Sequence, residues 1–175
     1  MTHGSHRLEY QVRQKLSVAR RRIATIANDL LGKRFDQDAD GDYILPLEDM
    51  HVMVTPRSGI DGQIVVRVFA ICTVGVNVIP ELGLSLARLN FGLMFGRFML
   101  DVEHRSIWLD ETLLGEEFRE EELRFAIRIV GATAAEWDDR FKQMFGGSTY
   151  EEVLAGRASG IPPRKKPGEG SGQYL

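Results

Sequence analysis

The sequence predicts an α+β domain in which an antiparallel sheet lies against long helices contributed by the two ends of the chain. Three observations carry this. One apolar stripe at helical spacing fills the N-terminal part, and a second, cleaner one fills residues 123–144. Between them the apolar period shifts to two, in short segments joined by tight turns. Connections that short pair strands antiparallel, and the order reads α-β-β-β-α-β-β-α. At 175 residues, 43% apolar and 27% charged, the chain suits one domain with a real core.

The first helix is predicted from about Arg7 to Lys33. Leu8, Val12, Leu16, Ala19, Ile23, Ile26 and Leu30 step by three or four, which keeps them on one face. Gly32 stands where such a helix stops. "DYILPLED" and "MHVMVTPR" then alternate as strands about a turn near Glu48-Asp49, and "SGIDG" makes the next turn. "QIVVRVFAICTVGVNVI" is too β-branched for a helix and reads as a long strand, breaking near Gly75 if it breaks. Pro80 suits a first helical turn, and Leu82, Leu86, Leu89 and Leu93 continue from it at helical spacing.

"RFMLDVE" and "SIWLDET" form a second hairpin around "EHR". Leu123, Ile127, Val130, Ala134, Trp137, Phe141 and Met144 mark the last helix, with Glu116 and Glu117 at its start and Gly146-Gly147 at its end. Trp137 on that stripe reads as core, and Gly131 within it implies close packing or a slight bend. The boundaries expected are a flexible N-terminus over 1–6, the domain over 7–147, and a Pro/Gly/basic tail over 148–175 that buries too little to order.

A formal charge of −3 gives no reason to expect nucleic acid. The charge is nonetheless uneven. Residues 1–34 hold eight Lys/Arg against two acids, and 101–122 hold nine acids against two arginines. Cys72, the single cysteine, excludes an internal disulfide and a cysteine-rich metal site, and its apolar neighbours make it a buried small residue. No apolar run reaches a membrane span and no hydrophobic signal core opens the chain, so a cytoplasmic address without membrane insertion is expected.

The segment that advertises chemistry most openly is "DQDADGDY", Asp36 to Tyr43. Asp36, Asp38, Asp40, Gly41 and Asp42 follow the first part of an EF-hand loop, but Leu47 occupies the position that needs a bidentate glutamate. The segment is therefore read as a polar turn whose acids bond nearby amides, with no calcium site. His51 and His104 lie apart, His3 and His6 are not read as ligands, and the glycines of "LNFGLMFGRF" do not form a phosphate loop. No nucleophile–base pair, metal cluster or cofactor cradle emerges, so no catalytic residue, metal or cofactor is expected. Met99 and Trp108 point away from their apolar neighbours. They supply surface for an interface unless the middle helix covers them.

Four strings carry a family likeness: "DADGDYILPL", "LARLN", "FGRFMLDVEHRSIWLDETLL" and "AAEWDDRFKQMFGG". With the first helix they span about residues 7–147, and they resemble the YbjN family and its type III secretion chaperone-like relatives, most closely an actinobacterial peptide-binding branch. The resemblance implies a non-enzymatic, chaperone-like or adaptor module holding an extended segment of a client protein. A regulatory protein acting through protein contacts shares the same features, and an enzyme on an unfamiliar template is the remote third reading.

The resemblance also implies a homodimer built on the middle helix and adjacent hairpin, with Leu82, Leu86, Leu89, Phe91, Met99 and Trp108 as candidate contacts. The client is expected at a sheet edge or between the first helix and the sheet. The basic face of that helix, at Arg13, Arg20 and Arg21, is the candidate peptide-binding surface and favours acidic clients.

Overall fold

The computed structural model describes residues 3–32, 35–38 and 41–156, the side chains of 3–7 and of Ile60 excepted. Among these residues the order is α1 (His3–Leu31), β1 (Asp36–Gln37), β2 (Tyr43–Pro46), β3 (His51–Ser58), β4 (Ile64–Val74), α2 (Pro80–Gly92), β5 (Arg97–Asp101), β6 (Ser106–Leu114), α3 (Glu120–Phe145), β7 (Ser148–Thr149) and α4 (Tyr150–Leu154). All strand pairs are antiparallel, in the spatial order β1-β2-β3-β4-β6-β5, and β7 pairs with the end of β4. The α+β class and the sequence of main elements are those the sequence predicts.

Each strand sends alternate side chains to opposite faces. Val66, Val68, Ala70 and Cys72 of β4, Val52 and Val54 of β3, and Ile107 and Leu109 of β6 form one face. That face is covered by Ile23, Ile26 and Ala27 of α1, by Leu82 and Leu86 of α2, and by a row of α3 side chains from Leu123 to Phe145. Three helices thus share one side of the sheet. Cys72 is fully buried there, as expected, and burial pushes its thiol pKa far up. Gly131 is a close approach. A Cβ on it would meet Leu47 Cδ1 at 2.6 Å and Val52 Cγ2 at 3.2 Å, so glycine lets α3 sit this near β3 without displacing Leu47.

Several boundaries differ from expectation. Helix α1 begins by His3, so residues 3–6 extend it instead of forming a loose end. Helix α3 starts at Glu120, not Glu116. Phe118 is buried, and the helix opens with Glu122 accepting from the Arg119 backbone N–H at 3.0 Å and from its Nε at 2.9 Å. Trp137 is only half-buried, with the Arg140 guanidinium 4.7 Å above its ring, while Phe141 is fully enclosed. Strict seven-residue spacing drifts by about 20° per heptad on a straight helix, enough to move the buried line from Trp137 and Met144 towards Phe141 and Phe145.

The sequence predicts a loose tail from Ser148. Instead Ser148 and Thr149 pair with Val74 and Thr73, and one helical turn follows, with Thr149 Oγ1 accepting from the Glu152 amide at 3.2 Å. Tyr150 and Val153 are buried. Residues 157–175 of the expected tail lie outside the described residues.

Candidate peptide-binding face

The second face of the sheet carries the site. Register sets it out in rows, because residues directly opposite in paired strands share a face. Met53 faces Phe69, and Ile71 faces Trp108, which in turn faces Met99. These five side chains make an apolar floor across four strands. Phe69 and Trp108 stack with ring centroids 5.3 Å apart and planes at 25°. The Trp108 indole N–H donates to Ser106 Oγ at 2.7 Å, so its polar end is satisfied within the chain.

Beside the floor runs a polar row. Arg67 grips Asp110, with Nε donating to Oδ1 at 2.8 Å and Nη2 at 2.6 Å, and its guanidinium lies 5.3 Å from the Phe69 ring centroid. Arg97 reaches the other Asp110 oxygen at 3.3 Å. On the far side Arg57 donates to Asp42 Oδ2 at 2.9 Å, and the Thr55 hydroxyl donates to Asp42 Oδ1. Asp110 is 1% exposed and Asp42 7%, so both carboxylates are enclosed and hold their arginines at the surface. The floor, with Asp42, Thr55, Arg57 and Arg67 of the row, lines a groove of about 630 Å³, within the size range of ligand-binding clefts.

Part of the acidic loop is used in this row. Gly41 takes φ +79°, the turn conformation expected of it, and the Asp42 carboxylate is committed to Thr55 and Arg57. Ala39 and Asp40 lie outside the described residues. Among the described residues no cluster of three or more acids, histidines or cysteines could hold a metal ion. No helix there is long and apolar enough to cross a membrane.

The candidate residues read from sequence are divided by the fold. Met99 and Trp108 do sit on the face away from α1 and α3, and α2 does not cover them, because it packs on the helical side. For the same reason Leu82 and Leu86 are corrected from interface to core, and Leu89 is half-buried against that core. Phe91 points outward and is 96% exposed. Arg13, Arg20 and Arg21 are exposed on α1, in the layer on the other side of the sheet from the groove. Met53, Phe69, Ile71, Arg57 and Arg67 were not singled out from sequence. The one signal for them was an arginine at every-other-residue spacing with Phe69 and Ile71 in an otherwise apolar strand.

One end of the floor is occupied by the chain itself. Tyr150 and Val153 of α4 join Met53, Phe69, Ile71 and Val74 in one apolar cluster, against which Ile44 and Trp108 also pack. Two polar clasps hold this turn. Glu151 accepts from the His51 backbone amide at 2.8 Å and meets His51 Nδ1 at 2.8 Å, and Lys142 Nζ donates to Glu152 at 2.6 Å.

The clasps titrate. The hydrogen bond to Glu151 raises the His51 pKa above its usual 6.5, against a smaller opposing effect of burial. A base whose pKa is raised on folding contributes stability that is complete below its unfolded pKa and is lost as pH climbs through the folded value. Burial pushes Asp138 up to about 6, with Asp139, Glu151 and Glu152 adding to the effect. Its ionisation near Glu151 and Glu152 likewise weakens the fold as pH rises from its usual 3.8 to about 6, and adds nothing further above that. Both effects have one sign. Exchange protection of the amides of 151–153, corrected for intrinsic rates, should fall between about pH 4 and 6 through Asp138 and again above pH 6.5 through His51. His51→Asn with Asp138→Asn should flatten that fall, whereas a pH-independent wild type would contradict the clasp.

The family model described as T3SS (YopN, CesT) and YbjN peptide-binding chaperone 1 matches residues 18–153. The chain belongs to this family. Among solved structures, the crystal structure of the ExsC–ExsE complex aligns with a TM-score of 0.55 and 15% identity, over 72% of this chain and 95% of that one. The Yersinia pestis type III secretion chaperone SycH, solved with a stable fragment of YscM2, aligns at 0.51 and 13% identity, over 67% and 98%. At such identities these two similarities speak for the fold alone. The match includes α4 up to Val153, so this peptide-binding chaperone domain extends past Gly147.

Proposed function

We propose that this family member is a non-catalytic adaptor that lays an extended segment of a partner protein along the open face of its sheet. One observation carries the reading: a groove on the face away from α1, α2 and α3, in which Met99 and Trp108 are half-buried, Met53, Phe69 and Ile71 are buried beside them under α4, and arginines fixed by buried carboxylates form the border. The floor offers burial to alternate client side chains, while Arg57 and Arg67, held by Asp42 and Asp110, need little reordering to meet client carbonyls or carboxylates. Arg13, Arg20 and Arg21 act on this reading by steering acidic clients at a distance, an effect that weakens with salt. A cytoplasmic place of action is part of the proposal, and cell fractionation would test it.

The test is to pan a peptide library against the purified protein and compare recovered peptides with Met99→Asp and Trp108→Ala. Each substitution should weaken binding by at least about tenfold, the worth of losing roughly 1.4 kcal/mol of burial. Equal binding to both variants, or no recoverable peptide, would sink the reading.

The same proposal includes a homodimer. Its support is the exposed apolar surface along α2 and in the loop beyond, where Leu84, Phe91 and Met94 are 60%, 96% and 88% exposed. Sedimentation equilibrium at micromolar concentration should give twice the 19.7 kDa chain mass. Phe91→Asp with Met94→Asp should return the monomer, and a wild type at 19.7 kDa would refute the dimer.

A further inference from the structure

The floor of the groove does not stop where α4 covers it. Met53, Phe69 and Ile71 line the open groove and also belong to the cluster that receives Tyr150 and Val153. We propose that α4 is a displaceable occupant of the client face, and that the clients able to displace it are acidic segments that leave the extended form for one helical turn at this end of the groove, with apolar side chains three residues apart around one or two carboxylates. The proposal rests on the peptide-binding reading and adds to it the chemistry of the client and a step of self-competition.

The seat itself defines the chemistry. Tyr150 and Val153 lie on one side of a single helical turn, at the i and i+3 spacing that puts two side chains on one face. Glu151 and Glu152 lie between them and are received by His51 and by Lys142. Asp138 and Asp139 of α3 and Asp36 of β1 also act on this corner, and His51 and Lys142 sit where the carboxylates arrive.

The occupant is also held lightly. A five-residue helix has no stability of its own in water, and beyond its two apolar side chains it is fastened by part-exposed ion pairs, the His51 amide bond to Glu151, the Thr149–Glu152 cap and two residues of strand pairing. A client that takes its place gains the covered end of the floor and joins it to the open groove.

A fluorescein-labelled peptide with the sequence of residues 148–156, STYEEVLAG, tests this against the full-length chain. Wild-type protein should bind it weakly, because the seat is filled in cis and apparent affinity falls with the fraction vacant. Full-length Tyr150→Ala with Val153→Ala should bind at least about tenfold more tightly, on the same logic. Lysines in place of the peptide's two glutamates should abolish the gain. Full-length Glu151→Gln with Glu152→Gln loosens the clasps without removing the apolar anchors, and should bind more tightly than wild type even if the first variant folds poorly.

Equal binding by wild type and both variants would overturn the proposal, as would indifference to the peptide's charge. Library peptides that bind wild type and lose affinity in Met99→Asp, yet ignore every change at α4, would leave the adaptor reading standing and remove only self-competition. No binding by library peptides or by STYEEVLAG would fail both.

Discussion

Phe141→Ala is expected to lower the free energy of unfolding by about 3–5 kcal/mol, the usual cost of deleting an enclosed aromatic ring. Phe141 is 0% exposed in the middle of the helical side of the sheet. Its ring stands edge-on to Phe98 of β5, with centroids 5.0 Å apart and planes at 85°, and lies 5.6 Å from Trp137. Deletion therefore removes the transfer energy of the ring, an edge-to-face contact, and the filler between α3 and the β5–β6 hairpin. Trp137→Ala should cost only about 1–2 kcal/mol, because part of its surface stays in water beside Arg140. Urea unfolding of both variants decides the matter. A larger loss at Trp137 than at Phe141 would mean that α3 is rotated from the orientation described.

The long elements were legible because each announces itself twice, by period and by punctuation. Helix α1 has its stripe and Gly32, α2 has Pro80 at one end and Gly92 at the other, and β4 has its β-branched run ending at Gly75. What the stripe of α2 could not reveal was its direction. Leu82, Leu86 and Leu89 share a face whether that face meets the chain's own sheet or a second copy, and only the third dimension shows the sheet beneath it.

The client face was hidden for a related reason. Strand β4 is apolar on both sides, so alternation, the usual sign of one wet and one dry face, is missing from "VVRVFAICTV". Met99 and Trp108 could be assigned because β5 and β6 do alternate. Helix α4 was invisible because one turn is too short for periodicity. Tyr150 and Val153 are held by Met53, Phe69 and Ile71, which lie some 80 to 100 residues away in the chain.

Arg67→Met is expected to cost about 3 kcal/mol and to abolish client binding, the second largest effect. The substitution keeps most of the aliphatic length and its packing on Phe69, and removes two charge-assisted hydrogen bonds to Asp110. Asp110 then remains 1% exposed with only the longer contact to Arg97 at 3.3 Å, and an enclosed carboxylate short of partners costs far more than the pair itself contributes. The partial exposure of Arg67 keeps the figure at the lower end of the range for buried pairs. Arg67→Met combined with Asp110→Leu removes the stranded charge as well. That double variant should recover to within about 1 kcal/mol of wild type, since apolar replacement of a buried pair is commonly neutral. Its groove would then be intact, folded and without its central cation. If the pair serves the client, the double variant binds recovered peptides at least about tenfold more weakly than wild type, in line with the worth of a charge-assisted hydrogen bond. Recovery of stability together with full peptide affinity would show that Arg67 and Asp110 hold the strands together and that the client reads the apolar floor alone.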